Sequence, residues 1–415
     1  MDKNFVKDRQ YYQFCAYGFL KNLRFFDPFF LLYLHEIGLN YLQIGILYSI
    51  RQITVNILEI PSGIIADAFG RKKSMILSMS AYLVSFVLFF LVSKMSLLSL
   101  AMIFFGIGEA FRSGTHKAMI LEYLRLNNQL HLKTQYYGST RSCSQLGSAL
   151  SAFLAMIIVF YSGDLHFIFV VSTIPYIANL IQLATYPNAL DGRNEEIHFK
   201  DIINHTKKAL RLFVTEFKNP KILHGLFSAS IFTALYKTTK DYLQPMIKSL
   251  ALSLPVFVAM EQDKRTAIFI GVIYTLLYLI TSYASKNSYL LERRFNRLDK
   301  AINVTYLSGV IILGISGLFL KFNIIIMAVI LFVGIYVVQN FRRPMVVSYL
   351  SEIIPGKVMA SGLSTESQLQ TIIIIIYAPF FGFIADLAGL YAAFILTGAL
   401  FLLLYPFIRI NHNPN

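Results

Sequence analysis

The sequence predicts an all-α polytopic membrane protein with twelve transmembrane helices. The chain has 415 residues, of which 56% are hydrophobic and only 14% are charged, whereas a soluble protein carries about 25% charged residues. Apolar stretches recur along the whole chain at about the 20 residues that a crossing helix needs. They are continuously apolar rather than alternating, which argues against the strands of a membrane barrel.

The twelve spans are read from the lengths of these stretches and from the polar residues between them. We place them at 12–36, 41–66, 74–94, 97–122, 134–160, 165–187, 222–250, 267–285, 302–320, 324–348, 361–385 and 390–409.

The distribution of basic residues predicts the orientation. Of the 37 Lys and Arg residues of the chain, 10 fall within the spans and 22 fall in the tails and in the loops on the side of the N-terminus. The loops on the other side hold only Lys94, Lys248, Lys264, Arg265 and Lys321. Since basic loops stay in the cytoplasm, both termini are predicted to be cytoplasmic. Residues 1–10 lack the apolar core of a signal peptide, so we expect the first helix to be retained.

A polar and basic segment, 188–221, separates the sixth span from the seventh. Within it, the apolar residues of 198–217 have a spacing that slightly favours an amphipathic helix at the membrane surface over a flexible linker.

The junction between the second and third spans carries an unusual group of residues at 63–73. Two glycines, Gly63 and Gly70, flank Asp67, and three bases follow directly from Arg71 to Lys73. Glycines permit a tight turn and a close backbone approach. The pattern, G-x-x-x-D-x-x-G-R-K-K, resembles the signature that members of the major facilitator superfamily carry in the loop between helices two and three.

The resemblance implies two pseudo-symmetric six-helix bundles that alternate access to a site near the bilayer midplane. The bundles are expected at 1–187 and 222–415, joined by the linker 188–221. It also implies a cytoplasmic gate in which Glu122, at the inner end of span four, accepts Arg71. The predicted gate residues are Gly63, Asp67, Gly70, Arg71 and Glu122. A partial second copy of the motif occurs at 382–386, Gly-Phe-Ile-Ala-Asp.

Ionisable residues inside spans are costly and mostly face a cavity or a partner. Among those in the predicted spans, bases outnumber acids, which points to an anionic solute. We expect Arg112 to be the principal anion ligand, although neutralising Glu109 three residues away is an alternative role. The predicted substrate-binding residues are Arg112, Arg141, Lys237 and Arg342. The predicted proton-coupling residues are Asp27, Glu59, Glu109 and Glu366.

Several classes of function find no support in the sequence. There is no phosphate-binding loop, no nucleotide-binding motif and no catalytic triad, so we expect neither an enzyme nor an ATP-driven pump. No cofactor is expected, and an ion gradient must supply the energy. Cys15 and Cys143 both fall within apolar stretches and lack metal-type spacing. The net charge of +15 is spread over short loops, which argues against nucleic-acid binding.

The prediction is therefore a secondary active transporter, coupled to protons, that exports a small polar organic solute with an anionic group, such as a metal-chelating metabolite. One alternative is a multidrug/proton antiporter for hydrophobic or cationic drugs. Another is a transporter-like channel, lipid translocator or receptor. We expect a monomer in the cell membrane, which is the inner membrane if the source is Gram-negative.

Overall fold

The computed structural model describes residues 7–191, 220–295, 297–354 and 359–410. The described residues form α-helices linked by short turns, and no strand occurs among them. The all-α prediction is therefore confirmed. The amphipathic helix predicted at 198–217 lies outside the described residues.

Eight helices precede the central linker. They are α1 (Arg9–Lys21), α2 (Phe30–Glu36), α3 (Tyr41–Phe69), α4 (Arg71–Leu91), α5 (Met95–Arg112), α6 (Thr115–Leu126), α7 (Lys133–Ser162) and α8 (Phe167–Ala184).

Eight described helices follow the linker. They are α9 (Pro220–Thr239), α10 (Leu243–Ser253), α11 (Gln262–Lys286), α12 (Ser288–Phe295), α13 (Leu298–Lys321), α14 (Ile325–Ile353), α15 (Met359–Ala388) and α16 (Leu390–Ile408).

Nine helical segments in the described ranges are long and apolar enough to cross a membrane. Helices also lie within the spans predicted at 12–36, 41–66 and 222–250, so each of the twelve predicted spans contains helix. The chain is therefore a multi-pass membrane protein.

Three predicted spans are broken, where the sequence suggested continuous helices. Span one is interrupted at residues 22–29, span four at 113–114, and span seven by a 3₁₀ turn at Lys240–Tyr242. In span four, Ser113 is extended and Gly114 has a φ of 84°, a conformation that glycine adopts without steric cost. Such breaks are tolerated at membrane depth where protein or a water-filled cavity surrounds the freed backbone groups.

Packing divides the chain into two compact units. The first contains the described residues of 1–29 and 50–206, and the second contains those of 30–49 and 207–415. Residues 30–49, which the prediction assigned to the first bundle, therefore pack in the second unit.

Within the second unit, the beginning of α3 packs closely against α15. The Asp386 carboxylate accepts hydrogen bonds from the backbone N–H groups of Tyr41 (2.9 Å) and Leu42 (2.8 Å). A Cβ added at Gly382 would stand 2.2 Å from the Tyr41 carbonyl oxygen. The partial motif at 382–386 thus supplies both the cap of a helix and the small residue that lets the two helices approach.

Candidate functional site

The motif at 63–73 is almost entirely helical, so the predicted loop is wrong. Helix α3 continues to Phe69 and α4 begins at Arg71. Gly70 alone makes the turn, with a φ of 101° that side-chain-bearing residues rarely adopt. Gly63 was expected to permit a close approach, but it is exposed and an added Cβ would meet no atom within 4 Å.

Three predicted gate residues come together in the first unit. Arg71 Nη2 lies 3.1 Å from Asp67 Oδ1, and Arg71 Nη1 lies 3.8 Å from Glu122 Oε2. Glu122 also pairs with Arg125 at 2.6 Å. These contacts link the end of α3, the beginning of α4 and the inner half of span four. Their role as a gate stays a prediction.

Asp191 joins this cluster and was not predicted. Its Oδ1 accepts from the backbone N–H of Lys72 at 2.6 Å, which caps the beginning of α4. Lys72 Nζ donates to the Tyr186 carbonyl at 3.0 Å. A Cβ on Gly70 would stand 3.3 Å from the Asp191 carboxylate, so this position favours glycine on two grounds. The end of span six, through Tyr186, and the turn that follows it, through Asp191, thereby hold the α3–α4 junction.

A cavity of about 710 Å³ opens in the first unit between α1, α5, α6 and α7. Its described lining includes four cationic side chains and no acid. Lys21 comes from α1, Arg112 from the end of α5, Lys117 from α6 and Arg141 from α7. Two of the predicted ligands, Arg112 and Arg141, therefore line one cavity.

Arg112 is held at its Nε and leaves its two terminal amino groups available. Nε donates to the Tyr82 hydroxyl over a long 3.4 Å. Among the described residues, neither Nη1 nor Nη2 makes a hydrogen bond. Glu109, which the alternative role of Arg112 would pair with it, forms an ion pair with Arg51 of α3, with 3.9 Å between Nε and Oε2. The fork of Arg112 is thus free to bind a planar anion.

Arg24, in the break between α1 and α2, shares the Tyr82 hydroxyl with Arg112. Its Nη2 donates to Tyr82 at 3.3 Å and its Nε donates to Tyr176 at 2.9 Å. The guanidinium carbon lies 5.5 Å from the ring centroids of Tyr82 and Phe105, within the range of cation–π attraction. Aromatic groups therefore hold a basic side chain in the first unit.

Two neutral polar groups in the cavity wall have no hydrogen-bond partner among the described residues: the Tyr17 hydroxyl and His116 Nε2. The two rings stack, with 3.9 Å between centroids and 21° between planes. Phe14 packs edge-on against His116 at 5.4 Å. Sequence reasoning missed Tyr17, because a tyrosine in an apolar helix is usually a packing residue.

In the second unit, Glu366 is the centre of a polar chain. It is 1% exposed, pairs with Arg343, and accepts from Gln370 Nε2 at 2.7 Å. Gln370 Oε1 in turn accepts from Lys237 Nζ at 3.0 Å. The structure thus links a predicted proton carrier, Glu366, to a predicted ligand, Lys237, through one amide.

Arg342 is 1% exposed and ties three helices of the second unit together. Its Nη2 donates to the carbonyl (2.9 Å) and hydroxyl (3.1 Å) of Ser228, and its Nη1 donates to the Ile302 carbonyl. Its guanidinium also faces the rings of Phe232 and Tyr306. These contacts are those of a structural arginine, and a binding role for Arg342 stays a prediction.

Asp27 and Glu59, the remaining predicted proton carriers, both lie in the first unit. Asp27 falls in the break after α1, and Glu59 lies in α3. Both side chains are half-buried, and their coupling roles stay predictions.

The family model of the Major Facilitator Superfamily matches residues 13–365. The protein belongs to this superfamily. Over 391 residues it is 25% identical to the uncharacterized MFS-type transporter YxaM of Bacillus subtilis (strain 168), covering 91% of this chain and 89% of YxaM. The recognition made from residues 63–73 is therefore confirmed.

Solved structures share the superfamily's fold at low sequence identity. The nucleoside transporter NupG superposes with a TM-score of 0.72 at 12% identity, covering 97% of each chain. A D-xylose-proton symporter superposes with a TM-score of 0.67 at 15% sequence identity, and the match covers 95% of this chain and 96% of the symporter. A POT family transporter in complex with 5-aminolevulinic acid superposes with a TM-score of 0.67 at 13% sequence identity, and the match covers 96% of this chain and 93% of that transporter. These likenesses establish the fold of this transporter.

A second pair of an arginine and an acid lies between spans eight and nine of this superfamily member. There Arg297 donates to both oxygens of Asp299, at 3.1 and 2.6 Å. The hydrogen bonds with Asp299 raise the pKa of Arg297. The pair lies at the beginning of α13, where the negative charge of Asp299 also interacts favourably with the positive end of the helix dipole.

Proposed function

We propose that the protein is a secondary active transporter, coupled to protons, that exports a small polar organic solute bearing an anionic group, such as a metal-chelating metabolite. It works as a monomer in the cell membrane, with both termini cytoplasmic. An ion gradient supplies the energy and no cofactor takes part. The observation that carries the proposal is the cavity of the first unit, whose described lining holds four cationic side chains and no acid.

The charge of this cavity favours an anion because like charges held together at low dielectric repel one another strongly. Lys21 makes no ion pair among the described residues, and Arg112 leaves both terminal amino groups available. An arginine fork binds a carboxylate through two parallel hydrogen bonds, and a lysine adds a point charge. An entering anion therefore relieves the repulsion and satisfies the free donors together.

The same cavity disfavours the drug-efflux alternative, since a cationic drug would meet four like charges and no carboxylate. A channel, lipid translocator or receptor would need no coupled ion. Glu366 supports coupling, because a buried carboxylate beside Arg343 changes its ion pairing when it binds a proton. Uptake of organic acids and of cationic drugs into proteoliposomes, each measured with and without a pH gradient, separates the three functions.

The test of the anion site starts from a screen of organic acids for thermal stabilisation of the purified protein, since a ligand of the folded state raises its apparent stability. Arg112→Ala is expected to weaken binding of the acids that stabilise the wild type. The expected loss is about 2 kcal/mol, or roughly 30-fold, with partial recovery in Arg112→Lys. Arg409→Ala, at an exposed arginine outside the cavity, is the matched control and should change nothing.

A double variant separates solute binding from neutralisation of Glu109. If Arg112 binds the solute, Glu109→Gln combined with Arg112→Ala stays inactive in transport. If Arg112 only balances Glu109, the double variant recovers the transport that Arg112→Ala loses. Recovery, or a transported solute that is purely cationic, contradicts the proposal.

A further inference from the structure

The four cationic side chains of the first-unit cavity form two groups that differ in exposure. Lys21 and Arg112 are half-buried, and we call them the deep pair. Lys117 and Arg141 are exposed, and we call them the shallow pair. All four line the same cavity of about 710 Å³. The positive charge of the cavity is therefore divided between two pairs.

Two tyrosines of the first unit hold the deep pair together. Arg112 Nε donates to the Tyr82 hydroxyl at 3.4 Å, and the Tyr176 hydroxyl donates to the Lys21 carbonyl at 3.1 Å. Arg24 joins the two tyrosines, because it donates to both hydroxyls. These contacts use one nitrogen of the Arg112 guanidinium and only the backbone of Lys21.

The terminal nitrogens of the deep pair reach accessible space. Neither Nη1 nor Nη2 of Arg112, nor Nζ of Lys21, donates to a described residue. None of the three is among the described polar atoms that are buried without a partner, so each has accessible surface. A solute carboxylate can therefore accept two parallel hydrogen bonds from Arg112 and meet the point charge of Lys21.

The contact between α6 and α7 places the shallow pair. The Tyr137 hydroxyl donates to the Lys117 carbonyl at 2.7 Å. Arg141 follows Tyr137 by four residues on α7, so it lies one helical turn further along the same face. The Arg141 side chain makes no hydrogen bond or ion pair with a described residue. Lys117 and Arg141 thus present two exposed charges from neighbouring helices.

The backbones that carry the two pairs differ in depth by about one helical turn. A Cβ added to Gly18 would stand 3.4 Å from the Thr140 carbonyl oxygen, so Gly18 on α1 is level with the residue before Arg141 on α7. Lys21 lies three residues beyond Gly18, or roughly 4.5 Å further along α1. One small anionic group at the deep pair therefore leaves the shallow pair without an anion.

Acids outside the cavity lining do not neutralise the two pairs. Asp27 and Glu109 act electrostatically on Lys21, but two bases outside the lining balance them. Glu109 forms its ion pair with Arg51. Asp27 also acts on Arg24, three residues before it. The lining keeps four cations and no acid among its described residues, more positive charge than one monoanion offsets.

We infer that the solute is a dicarboxylate, with one carboxylate on the deep pair and the other on the shallow pair. The inference rests on the proposed function, since the first carboxylate occupies the same site on Arg112. It adds a rule of selectivity: the protein prefers a dicarboxylate to its mono-amide, which has the same shape and one negative charge fewer. Because the shallow pair is exposed and its charges are screened, the expected preference is about tenfold.

The experiment compares three matched pairs of acids by titration calorimetry on the purified full-length protein at neutral pH. The pairs are succinate with succinamate, glutarate with glutaramate, and adipate with adipamate. The three chain lengths vary the separation of the two carboxylates. In each pair that binds, the dicarboxylate is expected to bind about tenfold more tightly. Added salt should reduce this preference, since exposed charges are screened.

Two double variants then locate the second carboxylate. Lys117→Gln combined with Arg141→Gln should weaken binding of the dicarboxylate more than binding of the mono-amide, so that the preference falls towards one. Lys94→Gln combined with Arg409→Gln is the matched control. Lys94 and Arg409 are exposed bases outside the cavity, and their removal takes away the same two charges. The preference should persist in the control.

The outcomes separate this inference from the proposed function. Equal affinities within every pair that binds, with Arg112→Ala weakening both members, overturn the second carboxylate site and leave the first standing. A preference that survives the change of Lys117 and Arg141, or that the control loses equally, also overturns the second site. Binding that is insensitive to Arg112→Ala, or no binding by any of the six acids, overturns the anion site and the inference together.

Discussion

The contact between α3 and α15 makes a sharp prediction for Gly382→Ala. The new Cβ would stand 2.2 Å from the Tyr41 carbonyl oxygen, 2.5 Å from its carbonyl carbon and 2.8 Å from the Leu42 nitrogen. All three are backbone atoms, so no side chain can rotate away. An ordinary contact needs about 3.4 Å or more, and the two helices must therefore separate.

The expected cost follows from two effects. Overpacking of this kind destabilises by about 1–3 kcal/mol, and alanine recovers up to about 1 kcal/mol through its helix propensity. Separation also stretches the hydrogen bonds from Tyr41 and Leu42 to the Asp386 carboxylate. Bonds to a charged group are worth about 1.5–3 kcal/mol each. We expect a net loss of about 2–4 kcal/mol in the folded protein.

The assay is thermal unfolding of the purified variants in one detergent. Gly334→Ala is the matched control, because it also lies inside a helix of the second unit and its added Cβ would meet only Ile312 side-chain atoms at 3.8 and 3.9 Å. Gly382→Ala should unfold at a clearly lower temperature than the wild type, and Gly334→Ala should not. Equal unfolding temperatures for the two variants would refute the reasoning.

Three further predictions concern the gate, the coupling and the second unit. Asp67→Asn or Arg71→Ala should lower transport at matched protein amounts while insertion is retained, since the 3.1 Å pair holds a gate and not the solute; unchanged uptake in both variants argues against the gate. Arg342→Ala should lower the unfolding temperature even without solute, because it leaves the carbonyl groups of Ser228 and Ile302 without their donor; a variant that unfolds like the wild type but no longer binds the acids would instead support a binding role. Neutralising the four acids one at a time should abolish uptake driven by a pH gradient in at least one case, and uptake that survives all four changes contradicts proton coupling through Asp27, Glu59, Glu109 and Glu366.

The lengths of the apolar stretches were enough to locate the helices, but not their breaks. Hydropathy shows how long an apolar stretch is, but it does not show whether the backbone is helical throughout that stretch. The stretch Met95–Leu126 is apolar enough to be taken for one span, although one helix ends at Arg112 and the next begins at Thr115. The local signal of the break is the Ser113-Gly114 dipeptide, which an average over the hydropathy of the span does not register.

Contacts within a motif were likewise easier to predict than contacts between distant segments. Asp67 and Arg71 are four residues apart on adjoining helices, and the resemblance supplied Glu122. Asp191, which caps the same helix, is 119 residues from Lys72 in the chain. The three-residue spacing of Glu109 and Arg112 left an ion pair between them open as an alternative, but the ion pair of Glu109 is with Arg51, on another helix. Sequence spacing can predict which residues face each other on one helix. Which residues of different helices pair is decided by tertiary packing, and spacing does not predict it.

The hydroxyl of Tyr82 has a consequence for any mutational study of this transporter. Tyr82 is fully buried, and its oxygen accepts from both Arg24 and Arg112. Removing either arginine therefore changes the surroundings of the other, and the effects of the two changes are not expected to add. A double-mutant cycle over Arg24 and Arg112, repeated in the Tyr82→Phe background, measures how much of their coupling passes through this one oxygen.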